Sequence, residues 1–115
     1  MISILAIDDN SNDARLIELA LADDKHGVYN LQHRTSLQDG LEAIEQGRFA
    51  AILLDLMLPD STGLATFECM EEKHPALPII VLTGQEDQDL ALEAVRNGAQ
   101  DYLVIRVCTK GTFCR

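Results

Sequence analysis

Short apolar runs alternate with stretches of helical period along the whole chain. Residues 2–7, 28–34, 50–54, 78–82 and 101–105 read as strands. Three of these runs stop at polar groups: the first at Asp8-Asp9, the third at Asp55 and the fourth at Thr83. Apolar runs of this length, rich in Ile, Leu and Val, suit parallel strands covered on both faces. Between them, residues 14–22 place Ile17, Ala20 and Leu21 on one helical face, with side chains from Asn10 to Asp13 available as caps and Gly27 at the exit. Thr35-Ser36 opens a second helix whose Leu37, Leu41 and Ile44 line up, and Gly47 closes it. Residues 64–73 form a third helix burying Leu64, Phe67 and Met70; residues 88–97 form a fourth, with Ala91, Leu92 and Val95 inward and Gly98 at its end. The segment 59–63 reads as a turn, because Pro59 fixes φ and Gly63 tolerates positive φ.

The alternation predicts an α/β fold. Right-handed crossovers place helices on both faces of a parallel sheet. The second strand is the least apolar and belongs at a sheet edge, with Tyr29, Leu31 and His33 on one side. A final helix is missing from the pattern. The tail after Ile105 has no helical stripe, so the expected organisation is one domain over residues 1–105 and an atypical tail over 106–115. One sheet face is then left partly bare, which favours self-association, such as a homodimer through that face, or a swapped partner segment.

At 115 residues the chain is long enough for one sizeable core, and its 47% apolar content supports a globular fold. Aromatics make up only 4%, so that core is mostly aliphatic. A net charge of −10 opposes direct binding to nucleic acid, which requires cations to neutralise phosphates. No stretch approaches a membrane span, and no basic segment precedes the first strand, so neither membrane insertion nor a signal peptide is expected. Cys69, Cys108 and Cys114 lack metal-ligand spacing and fit free thiols in a reducing, cytoplasmic setting.

Strand ends of one parallel sheet share an edge, and ligands bind at that edge. Asp8, Asp9 and Asp55 gathered there suit a hard cation such as Mg²⁺, which takes oxygen ligands; the carbonyl of Met57 is placed to add one more. A carboxylate that accepts a phosphoryl group needs such a cation to offset charge repulsion, and a hydroxyl such as Thr83 can bond the phosphoryl oxygens. A lysine normally completes such a site, and the end of the fifth strand carries Ile105 instead.

Four stretches carry a resemblance: Ile4-Leu5-Ala6-Ile7-Asp8-Asp9-Asn10, Leu53 to Gly63 around Asp55, Ile80-Val81-Leu82-Thr83-Gly84, and Gly98-Ala99-Gln100-Asp101-Tyr102-Leu103-Val104. In this order and spacing they resemble the receiver domain of two-component response regulators over residues 1 to about 104. The resemblance implies a flavodoxin-like, doubly wound five-stranded parallel sheet with strand order 2-1-3-4-5. It implies Asp55 as phosphoacceptor, Asp8 and Asp9 as Mg²⁺ ligands, Thr83 as the switch hydroxyl and Tyr102 as the switch aromatic. It implies a histidine kinase or phosphotransfer protein as donor, and an output domain or target protein downstream. The family's lysine position is occupied by Ile105, which should weaken phosphoryl stabilisation. One set of permitted codons for the tail, read from the third nucleotide of Ile105, gives Lys-Gly-Val-Tyr-Lys-Gly-His-Phe-Leu-Pro and restores a lysine after Val104. A frame change is therefore expected to have replaced the end of the domain.

Each feature has a plainer reading. Asp8-Asp9 could cap the first helix; Thr83 could be a turn hydroxyl and Tyr102 a strand aromatic. His26, His33 and His74 read as surface residues, and Glu86, Asp87 and Asp89 as a solvated loop. Three functions compete: a phosphoacceptor signalling module that is not an enzyme, a phosphorylation-impaired receiver-like interaction module, and a Mg²⁺-dependent aspartyl phosphatase. The third lacks a second acid two residues after Asp55, where Met57 stands. A flavin site is also disfavoured, since Asp8-Asp9-Asn10 would repel a phosphate.

Overall fold

A computed structural model describes residues 2–23 and 27–106. The main sheet contains β1 (Ile2–Ile7), β2 (Tyr29–Arg34), β3 (Ala51–Asp55), β6 (Ile79–Gly84) and β7 (Asp101–Arg106). All pair in parallel in the order β2-β1-β3-β6-β7. In order of appearance within the sheet this is the expected 2-1-3-4-5 arrangement, with the least apolar strand at the edge. The numbering jumps because the segment expected to be a plain turn forms a small antiparallel hairpin, β4 (Met57–Leu58) with β5 (Ser61–Thr62). Gly63 follows it at φ 81, a conformation that costs a glycine little.

Helices α1 (Ser11–Ala22), α2 (Leu37–Gln46), α3 (Leu64–Lys73) and α4 (Gln88–Arg96) connect the strands. Helix α1 begins three residues earlier than its apolar stripe indicates, because Asn10 caps it by accepting the Asn12 N–H at 2.9 Å. Ser36 caps α2 in the expected way, its Oγ accepting the Asp39 N–H at 3.1 Å. A short 3-10 turn, Gln85–Asp87, leads into α4.

Strand residues alternate between faces, and the core divides accordingly. Leu5, Ile7, Ile52, Leu54 and Val81 face a larger cluster with Leu37, Phe67, Met70, Ala91 and Ala94 from α2, α3 and α4. Ala6, Leu53 and Leu82 face the other side, joined by Ile17 of α1 and by Ile80 and Ile105. Full burial of a side chain such as Leu54 or Met70 contributes about 1.5–3 kcal/mol. Helix α4 corrects one expectation: Leu92 is 39% exposed, while Ala91 and Ala94 turn inward. The helix is rotated so that its small residues meet the sheet closely.

On the α1 side a wide apolar groove of about 550 Å³ runs between α1 and β7, floored by Leu53 and Ile80 and walled by Ile17, Leu21, Leu103 and Ile105. The expected irregular tail starts one residue late, because Arg106 still belongs to β7; the rest of it, with Cys108 and Cys114, lies outside the described residues, as does His26. No described helix is long and apolar enough to cross a membrane.

Candidate metal centre

The register of the sheet assembles the site. Strands β1 and β3 pair from Ile4 with Ala51 to Ile7 with Leu54, so Asp8 and Asp55 emerge at the same level. Asp55 is in turn opposite Leu82, which puts Thr83 one step further along the neighbouring strand. Carboxylate oxygens of Asp8, Asp9 and Asp55 all lie within 4.8 Å of one another. Asp8 and Asp55 are buried at 0% and 1% exposure, whereas Asp9 is open to solvent.

Local bonds hold these groups in place. Asp8 Oδ1 accepts the Asn10 N–H at 2.8 Å, and Asp55 Oδ1 accepts the Met57 N–H at 2.9 Å. Thr83 Oγ1 donates to the Gly84 carbonyl at 3.0 Å. A narrow crevice at the ends of β3 and β6 is lined by Asp55, Met57, Thr83, Asp87 and Leu90. Tyr102 of β7 sits lower, opposite Val81 of β6, half-buried against the larger cluster. The structure thus gathers the three carboxylates, sets Thr83 in the same crevice as Asp55, and leaves Tyr102 beneath.

Electrostatics at this edge are unfavourable to three anions. Asp8 is pushed up to about 8, chiefly by burial and then by the Asp55 and Asp13 carboxyls, while the Asn10 N–H opposes the shift. Its Oδ2 is buried and accepts no hydrogen bond from the described residues. A buried carboxylate oxygen without a donor carries a desolvation cost that a cation removes. The donor set is oxygen only, with one ligand open to solvent. That fits Mg²⁺, which keeps part of its water shell.

Several contributors escaped the sequence reading. Asp13 is buried at 3% exposure beside Asp8 instead of serving as a surface cap. His33 is half-buried, not a surface residue, and its Nε2 donates to the Asp8 carbonyl at 2.7 Å. Asp87 borders the crevice instead of standing in a solvated loop. Only the alternation of β2, with His33 on the side of Leu31, hinted at any of these.

Comparison with known proteins gives the class. The family described as the response regulator receiver domain matches residues 4–107, and the chain belongs to it. Among curated relatives, the regulatory protein LuxO of Vibrio cholerae is 43% identical over 67 residues, covering 58% of this chain and 15% of that protein. The transcriptional regulatory protein ZraR of Escherichia coli K12 is 28% identical over 103 residues, covering 90% of this chain and 23% of that protein. The chain therefore spans less than a quarter of either relative. Among solved structures, the receiver domain of NtrX from Brucella abortus superimposes with a TM-score of 0.77 at 27% identity, covering 96% of this chain and 87% of that one. A response regulator receiver domain protein from Clostridium thermocellum gives 0.76 at 25% identity, covering 98% and 85%.

Proposed function

We propose that Asp55 is the phosphoacceptor of a two-component signalling system. The observation that carries this reading is the convergence of Asp8, Asp9 and Asp55 within 4.8 Å at the sheet edge. In the step itself, an Asp55 carboxylate oxygen attacks the phosphorus of a phosphohistidine on a histidine kinase or phosphotransfer protein. The P–O bond forms as the P–N bond breaks, and the imidazole leaves with the electron pair. Mg²⁺ held by Asp8, Asp9, Asp55 and the Met57 carbonyl would offset the repulsion between nucleophile and phosphoryl oxygens.

The chain's own groups prepare the rest. The Met57 N–H orients the Asp55 carboxylate. Thr83 would exchange its bond to the Gly84 carbonyl for one to a phosphoryl oxygen, and Tyr102 would follow it as the switch aromatic. The domain would work as a switch and not as an enzyme with turnover, in the cytoplasm, acting on an output domain or target protein. Self-association over the apolar groove beside α1 belongs to the same reading. The alternative, a phosphorylation-impaired interaction module, draws on Ile105, which packs with Ala6, Leu53 and Leu82. The assembled carboxylates favour the first.

The test is intact-mass analysis after incubation with Mg²⁺ and acetyl phosphate. A labile phosphoryl adduct is expected on the wild-type chain and not on Asp55→Asn. A folded wild-type chain that acquires none would overturn the assignment.

A further inference from the structure

Asp60 lies in the turn of the β4–β5 hairpin, yet its carboxylate binds another element. Oδ1 accepts the Leu37 N–H at 2.9 Å and Oδ2 accepts the Gln38 N–H at 2.9 Å. Both donors belong to the first turn of α2, where N–H groups have no partner within the helix. They hold the Asp60 carboxyl below the usual carboxylate range. Ser36 already caps the same helix locally through the Asp39 N–H. Helix α2 thus has two caps, and the remote one does what a local cap cannot: it ties the hairpin to α2.

The base of that hairpin is the candidate centre. The Leu56 carbonyl accepts the Gly63 N–H at 2.7 Å, closing the loop, and the Met57 N–H holds Asp55 Oδ1. Each hairpin strand has only two residues, too few for a ladder that stands alone. The loop therefore takes its rigidity from its anchors. The hydroxyls of Ser61 and Thr66, 2.7 Å apart, form one anchor towards α3. Asp60 forms the other, towards α2.

We propose that Asp60 is a positioning residue for the cation: by fixing the hairpin to α2 it sets the Met57 peptide, and through it the aim of the Asp55 carboxylate. This rests on the reading that Asp8, Asp9 and Asp55 bind a divalent cation. Asp60 touches no reacting atom in this scheme and acts through Met57 alone.

Mg²⁺ titration by calorimetry on the full chain tests it, with thermal melts run beside it. Wild type, Asp60→Ala, Asp60→Asn and Ser36→Ala are compared. Asp60→Ala should weaken the Mg²⁺ dissociation constant about tenfold, the lower end of what loss of an outer supporting group costs a metal site. Asp60→Asn retains one acceptor oxygen and should fall between. Ser36→Ala removes a cap from the same helix end and should lower the melting temperature while leaving Mg²⁺ affinity unchanged. Affinity unchanged in Asp60→Ala, or weakened equally in Ser36→Ala, would show that Asp60 serves helix stability only. If Asp60→Ala fails to fold, Asp60→Asn against Ser36→Ala decides on the same criterion. Absence of Mg²⁺ binding by the wild type would instead sink the cation reading itself, and this inference with it.

Discussion

The ring of His33 on the edge strand donates from Nε2 to the main-chain carbonyl of Asp8 at 2.7 Å. A carbonyl can only accept, so this bond fixes the proton on Nε2. It also ties the end of β1, where the carboxylates begin, to β2. His33→Phe keeps an aromatic ring at this position and leaves the carbonyl without that donor. It should cost about 1 kcal/mol, read as a fall of about 4 °C in melting temperature. An unchanged melt would mean that water replaces the imidazole without loss.

Asp8 makes stability depend on pH. Its carboxyl rises from 3.8 to about 8 in the fold, so between those values the folded state holds a proton that the unfolded chain has released. The contribution is fully present below about pH 4 and is lost as pH rises through about 8, with a slope of at most about 1.4 kcal/mol per pH unit. Without divalent cations, the domain should melt at lower temperature at pH 8 than at pH 6. Asp8→Asn keeps an acceptor for the Asn10 N–H and removes the charge, so it should flatten this dependence. Thermal melts of the wild type and Asp8→Asn across pH check both expectations.

Mg²⁺ should act in the opposite sense. Ligating carboxylates must be deprotonated, so stabilisation by Mg²⁺ should grow as pH rises over the same interval and be absent in Asp8→Asn. Melts at fixed pH with and without Mg²⁺ give the answer.

Gly40 of α2 packs directly against the Ile7 side chain of β1. A Cβ there would lie 2.7 Å from Ile7 Cγ1, inside a cluster where Ile7 is fully buried. Gly40→Ala should cost about 1–3 kcal/mol through overpacking, despite the better helix propensity of alanine. Combined with Ile7→Ala, the loss should be smaller than the sum of the single losses, as a double-mutant cycle in denaturant would show.

Ile105 offers a gain of function. It stands beside Arg106 near the end of β7, with its side chain on the second apolar cluster. A lysine there could lay its stem along the same cluster and carry its ammonium towards the carboxylate edge. Ile105→Lys should raise the yield of the Asp55 phosphoryl adduct with acetyl phosphate, measured by intact mass. No increase would show that the side chain at 105 does not limit the reaction.

Period and punctuation made much of this molecule legible. The alternation of apolar runs with helical stripes fixed the number of sheet strands and the four described helices, and the weak apolarity of residues 28–34 placed β2 at the edge. The carboxylates of Asp8, Asp9 and Asp55 were readable as one site because parallel strands bring their carboxyl ends to one edge. What the sequence could not carry is contact between elements that no local period encodes. Asp60 looked like a turn residue and reaches α2; His33 looked like a surface histidine and bonds the end of β1. Leu92 looked inward and faces out, because the rotation of α4 is set by how closely its alanines approach the sheet. Side-chain chemistry and spacing decided which groups meet at the edge. Strand register, helix rotation and burial decided how they are held, and burial beside other carboxyls is what raises Asp8 to about 8.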